Sequence, residues 1–284
     1  MENFGEIFKA LRESRNLTQN QVVGEEFTSA ALSMFESGKS DITLSKFFYI
    51  LKRIGVSLEE FEYIANNYDF NSFYKLLNKA NIAYNENDEY ALKKLLEKEK
   101  EKSNDIYQEM NCLMLKSLIC ELDSHYRLSD KEKDKISSYI ILIDDWSYYQ
   151  LILYNNTIRT FNANMINTLS SELLKRSLYY KSIPRNKKLI KEILINTIIV
   201  LIDKKEIKYA NYFKNALEEL LTDETAIYEK TIFLFVTGAL DFHQGDEIEG
   251  KRKMKDAIDI LNKVESYRLA KSYQQNYDEI VEFA

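Results

Sequence analysis

The side chains best suited to chemistry lie in the second half of the chain. Ile152, Asn156 and Arg159 are spaced to share one face of a helix expected after Trp146. Asn196 interrupts an otherwise apolar helix over residues 193–202, and Phe233 and Thr237 share a face of the helix that starts at Tyr228. An arginine with amide neighbours can hold a peptide backbone or a carboxylate through bidentate, charge-assisted bonds. These six residues are therefore the candidate ligand contacts. Singly they have plainer explanations, Asn196 as a satisfied core amide and Arg159 as the partner of a nearby glutamate, and Trp146 reads as a packing residue. Catalysis has no comparable set. His125 and His243 are far apart, and neither has the spacing of a metal-ligand pair. No Gly-rich phosphate loop or nucleophile elbow occurs, so no metal, no cofactor and no enzymatic activity are expected. The charge runs 97–102 and 131–135 read as solvated helix faces.

Composition says which elements position these residues. Seven Gly and one Pro in 284 residues leave little to punctuate strands, so the chain should be all-α, with long helices joined by short polar turns. Hydrophobic residues make up 45%, enough for packed cores in two domains. The apolar run 193–202 is about half of what spans a bilayer, and no basic-then-apolar leader opens the sequence. Cys112 and Cys120 fall in one predicted helix, about 12 Å apart along its axis at 1.5 Å per residue, too far for a disulfide. They read as core-lining thiols of a cytoplasmic protein with no membrane partner. Net charge is −6, and residues 1–65 hold seven Lys/Arg against ten Asp/Glu, which opposes a simple electrostatic case for nucleic acid.

The first 65 residues nevertheless read as five short helices. Asn3 can cap a first helix to about Arg15; Thr18, Thr28, Thr43 and Ser57 can cap four more, the third ended by Gly38. The second and third are joined by a tight turn after Glu26-Phe27, a helix-turn-helix arrangement. With Leu17-Thr18-Gln19 following Arg12, and Phe35-Glu36-Ser37-Gly38-Lys39 further on, the segment resembles the phage-repressor (Cro/C1-type) DNA-binding domain. The resemblance implies an ion pair between Arg12 and Glu36, a phosphate contact from Gln19, and a third helix in the major groove. Thr28, Ser29, Ala30, Ser33 and Met34 would then face the bases. Their hydroxyls can bond several base edges, and Ala and Met can touch thymine methyls, but none gives a bidentate contact. DNA shape should supply part of the specificity. Lys39, Lys46 and Arg15 would join Gln19 on phosphates.

Beyond residue 66 helix pairs start near Phe70, Tyr107, Tyr148, Leu189 and Tyr228, with a last helix near Tyr267, a spacing of about 37 to 41 residues. Small residues fall where helices must approach closely, and Gly238, Gly245 and Ala257 sit at tetratricopeptide-like positions. Such tetratricopeptide-like pairs stack into an α-solenoid whose concave side suits an extended peptide. The whole chain resembles the Rgg-type (Rgg/GadR/MutR) peptide-responsive regulators of low-GC Gram-positive bacteria. The stretches that carry the resemblance are Ser33-Met34-Phe35-Glu36-Ser37-Gly38-Lys39-Ser40-Asp41-Ile42, Asp145-Trp146-Ser147-Tyr148-Tyr149 and Tyr228-Glu229-Lys230-Thr231-Ile232-Phe233-Leu234. It implies a homodimer that binds promoter DNA through residues 1–65 and a short signalling peptide through residues 66–284. The alternative is a peptide-sensing repeat protein that acts on another regulatory protein, a reading the acidic head favours.

Overall fold

The structure, a computed structural model, describes residues 4–25, 27–69, 71–102, 105–176 and 182–282. Asn3, Glu26 and Phe70 lie outside the described residues. Every regular element among those described is helical, as composition requires, and the chain forms two compact units, Met1–Ile82 and Ala83–Ala284.

The first unit holds α1 (Phe4–Glu13), α2 (Gln19–Val23), α3 (Ser29–Glu36), α4 (Leu44–Arg53) and α5 (Leu58–Ala65). Thr18, Thr28, Thr43 and Ser57 each accept the backbone N–H three residues into the helix they cap, so local chemistry sets every start from α2 to α5. Stops are equally local. Helix α1 ends at Glu13, short of the expected Arg15, because Asn16 takes a φ of 54°. The Asn16 and Leu17 amides then close on the carbonyls of Glu13 and Arg12. Gly38, at a φ of 68°, ends α3 through the same pair of bonds, from Gly38 to Phe35 and from Lys39 to Met34. Phe8, Val22, Leu32 and Ile50 are wholly buried between the helices. The tightest crossing is at Gly5, where a Cβ would lie 1.8 Å from the Phe35 carbonyl oxygen. Helices α1 and α3 therefore meet backbone to backbone.

Helix α6 (Ser72–Asn85) runs across the division between the units. It is followed by α7 (Glu89–Lys100), α8 (Ile106–Leu122), α9 (Asp130–Ile141), α10 (Tyr148–Asn155), a 3-10 turn (Ile158–Thr160) and α11 (Ala163–Arg176). The last five are α12 (Pro184–Asp203), α13 (Ile207–Leu220), α14 (Ile227–His243), α15 (Glu247–Lys263) and α16 (Tyr267–Glu282). The expected repeat starts correspond to α8, α10, α12, α14 and α16, although α12 begins at Pro184 rather than Leu189, with proline at its first position. Turns inside the pairs reuse one device. Asn87, Lys205 and Gly245 take positive φ, and the next amide closes on a carbonyl five residues back.

Helix α12 is the hub of the second unit and packs on α10, α13 and α14. Residues such as Ile193, Leu194, Ile198 and Leu201 are wholly buried, while beyond Lys187 the less buried positions are Lys188, Glu192, Asn196, Ile199 and Asp203. Their spacing of three and four residues is that of a single helix face. Trp146 is wholly buried and meets Tyr154 edge-on, the packing role expected of it. Both cysteines are free, Cys112 buried and Cys120 partly so.

Candidate functional site

In the head, Arg12 and Glu36 form the expected pair. The guanidinium donates to both carboxylate oxygens, at 2.7 and 2.9 Å, and to the Leu17 carbonyl at 2.6 Å. The pair ties α1 to α3 and is nearly dry, with side chains 8% and 2% exposed. The bond to Glu36 raises the Arg12 pKa further above neutrality, so the charge is permanent. Gln19 joins this pair. Its side-chain amide donates to Glu36 Oε2 at 2.8 Å, because that oxygen still has a lone pair beside the start of α2. One of the two amide N–H groups is thus taken up by the ion pair.

Helix α3 turns Leu32, Phe35 and Glu36 inward and leaves Ala30, Ser33 and Met34 exposed. Thr28 is exposed but spends its side-chain oxygen on the Ala31 amide, and Ser29 donates to Asn20 of α2. Of the cations, Lys39 is exposed, Lys46 lies over the Phe27 ring at 5.5 Å, and Arg15 donates to the Leu11 carbonyl at 2.9 Å. The outward face of α3 is thus a short polar and thioether surface with a Lys beyond its end.

The second unit contains a groove of about 500 Å³ among α12, α14, α16 and the 3-10 turn. Its floor is apolar, from Ile199 and Ile202 of α12, Phe235, Val236 and Ala239 of α14, and Ile280 of α16. Polar groups edge it: Arg159, Asp203, Lys205, His243, Asn276 and Glu279. Arg159 donates to Asp203 at 3.1 Å and pairs with Glu121 at 3.4 Å, while the Tyr84 hydroxyl donates to Glu121 at 2.6 Å. Burial works to lower the Arg159 pKa, but Glu121 and Asp203 outweigh it and the net shift is upward. Burial raises Glu121 and Tyr84 as well. His243 is lowered, first by burial and then by Lys205, so it stands neutral at pH 7.

Of the six candidate contacts, Arg159 alone lines this groove. Ile152, Asn156 and Arg159 do not share a helix face, since α10 stops at Asn155 and Arg159 stands on the separate 3-10 turn. Ile152 is buried in the core, and Asn156 caps α10 by donating to the Ile152 carbonyl at 2.8 Å. Asn196 lies on the less buried stripe of α12 and donates to Asn155 at 2.9 Å. Phe233 instead meets Lys214 of α13, whose ammonium is 6.0 Å from the ring centroid, and the Thr237 hydroxyl is buried. Neither Glu121 nor Asp203 stands out in the sequence, and His243 is weighed there only as a metal ligand.

A helix-turn-helix head with its buried Arg–Glu tie, followed by repeat pairs around an apolar groove, defines the class of helix-turn-helix transcriptional regulators with helical-repeat domains. Residues 92–275, well over half of the chain, match the C-terminal domain of the HTH-type transcriptional regulator Rgg, and the chain belongs to that family. The SHP pheromone receptor Rgg2 of Streptococcus dysgalactiae is 27% identical, with a TM-score of 0.82 over 97% of this chain and 99% of that one. A candidate transcriptional regulator from Listeria monocytogenes EGD-e is 24% identical, with a TM-score of 0.85 over 99% and 98%. The PrgX chain of a PrgX/cCF10 complex, 16% identical with a TM-score of 0.73 over 99% and 93%, shares the fold. No helix among the described residues is long and apolar enough to cross a membrane.

Proposed function

We propose that this regulator binds promoter DNA through its head, residues 1–65, and a short signalling peptide through its repeat domain, residues 66–284. It acts as a cytoplasmic homodimer, without a cofactor and without catalysis. The groove carries this reading. Its apolar floor and polar edge fit an extended peptide, whose apolar side chains would cover Ile199 and Phe235. Arg159 supplies a fork for a peptide carboxylate or carbonyl that displaces Asp203. The description of the matched Rgg2 as a pheromone receptor supports the ligand class. Asn196, on the α12 face that includes Ile199 and Asp203, is the candidate to bond the peptide backbone.

On DNA, Ala30, Ser33 and Met34 are the candidates to face the bases, with Thr28 and Ser29 at the start of α3 and Lys39 and Lys46 on phosphates. Two such heads would read half-sites about 34 Å apart or a multiple of that. Selection from a random duplex pool should enrich a two-fold symmetric motif. An unenriched pool would favour the protein-binding alternative.

Two variants separate the sites. Ser33→Glu sets a carboxylate against the phosphates and should weaken binding to the selected motif at least tenfold, about 1.4 kcal/mol or more. An unchanged footprint would remove α3 from the major groove. Arg159→Ala should weaken the peptide response at least tenfold while DNA affinity stays within about twofold. An unaltered peptide titration in that variant would end the assignment of the groove.

A further inference from the structure

Arg159 also lines a second cavity, of about 300 Å³, together with Cys120, Glu121, Arg127, Leu128, Lys133 and Thr160. Three cationic side chains and one carboxylate line it, in a chain whose net charge is −6. The fold builds this excess. After α8 ends at Leu122, the Asp123 carboxylate accepts the His125 amide at 2.9 Å and turns the chain. Leu128, 5% exposed, pins the returning loop, and the Ser129–Glu132 capping box then starts α9. Arg127 is thereby held just before α9 and Lys133 just inside it.

Arg159 is already paired twice, with Glu121 at 3.4 Å and Asp203 at 3.1 Å, so the charge left for a ligand is chiefly that of Arg127 and Lys133. Glu121 already accepts the Tyr84 hydroxyl and pairs with Arg159. Arg127 donates to a neutral acceptor, the Tyr126 carbonyl, at 2.8 Å. Lys133 pairs at 3.2 Å with Asp130, whose side chain is 94% exposed and so contributes little. Cys120 is not the reactive centre of this cavity, since burial holds its thiol up in the protonated form.

We propose that this cavity is a binding site for a small doubly charged oxyanion, a phosphate group, held between Arg127, Lys133 and Arg159. Two guanidinium forks and an ammonium offer the planar and point donors that a phosphate accepts. The cavity volume admits the phosphate of a small metabolite as readily as free phosphate. It is separate from the peptide groove, with Arg159 common to both, so an anion here competes with Asp203 for the same guanidinium.

The test is calorimetric titration of the full chain with inorganic phosphate and with a sugar monophosphate, at ionic strength held constant with sodium chloride. The expected result is saturable binding, one anion per chain, weakened at least tenfold by Arg127→Gln with Lys133→Gln. Both changed residues are outside the hydrophobic core, and circular dichroism checks that the fold is kept; if the pair fails to fold, each single variant is titrated instead. Tighter binding of the sugar phosphate assigns the site to a phosphorylated metabolite, and equal binding assigns it to free phosphate. A response without saturation, or one that the variants leave unchanged, overturns the site. The readout requires neither promoter nor peptide, so its failure is independent of theirs.

Discussion

Glu36→Ala is expected to cost the head about 3–5 kcal/mol, the range seen when one partner of a buried ion pair is removed. The reason is what remains. Arg12 would keep the Leu17 carbonyl and Glu13, whose side chain is 55% exposed, but would lose both oxygens that neutralise its guanidinium. Gln19 would lose its acceptor as well. Native domains are stable by about 5–15 kcal/mol, so the variant head would sit near the edge of unfolding and promoter binding would fall with it. The measurement is urea denaturation of the full chain followed by circular dichroism, beside the double variant Arg12→Met with Glu36→Leu. The double variant should recover most of the loss, because two apolar residues of similar reach leave no orphan charge. A loss below about 1 kcal/mol in Glu36→Ala would mean that water reaches the pair and that its place is rim-like.

The head was largely legible because its signals are short-range. Thr18, Thr28, Thr43 and Ser57 cap helices through bonds that span three residues, and Gly38 ends α3 through its own φ. A role that depends on a distant neighbour is not legible in this way. Gln19 bonds a carboxylate 17 residues away, and Gly5 is required by a carbonyl of α3, neither of which a local pattern reveals. In the second unit the repeat starts were visible, whereas the face of α14 that meets the groove was not. That helix packs on α12, α13 and α15, so apolar residues occur all round it and periodicity cannot rank its faces. Hence the face with Phe233 and Thr237 cannot be told in sequence from the one whose Phe235, Val236 and Ala239 line the groove. One missed signal was present in the repeat itself. Tyr84 and Glu121 lie 37 residues apart, and Arg159 and Asp203 44. Polar residues recurring at about one repeat length, near where successive first helices end, form one bonded row, of which Arg159 and Asp203 edge the groove.

Gly238→Val should damage the second unit nearly as much as Glu36→Ala damages the first. A Cβ at Gly238 would lie 2.7 Å from the Gly250 carbonyl oxygen, 2.8 Å from Lys253 Cβ and 2.9 Å from the Met254 nitrogen. The reverse holds too, since a Cβ at Gly250 would lie 2.7 Å from the Gly238 carbonyl oxygen and from the Phe242 nitrogen. The two glycines let α14 and α15 meet backbone to backbone, and backbone cannot rotate aside as a side chain can. Removing a helical glycine gains about 1 kcal/mol in propensity, less for β-branched valine, while overpacking of this kind costs about 1–3 kcal/mol and more where backbone must shift. The clash wins, and a net loss of about 2–4 kcal/mol is expected in thermal melts of the full chain. Gly245→Ala is the control. Its φ of 100° makes alanine strained, but nothing lies within 4 Å of its Cβ, so it should cost about 1 kcal/mol and leave the helices in place. Because α14 carries Phe235, Val236, Ala239 and His243 into the groove, Gly238→Val should also abolish peptide binding, and Gly245→Ala should not. Equal peptide affinity in both variants would show that α14 can move away from α15 without disturbing the groove, and would shift the ligand contacts toward α12 and Arg159.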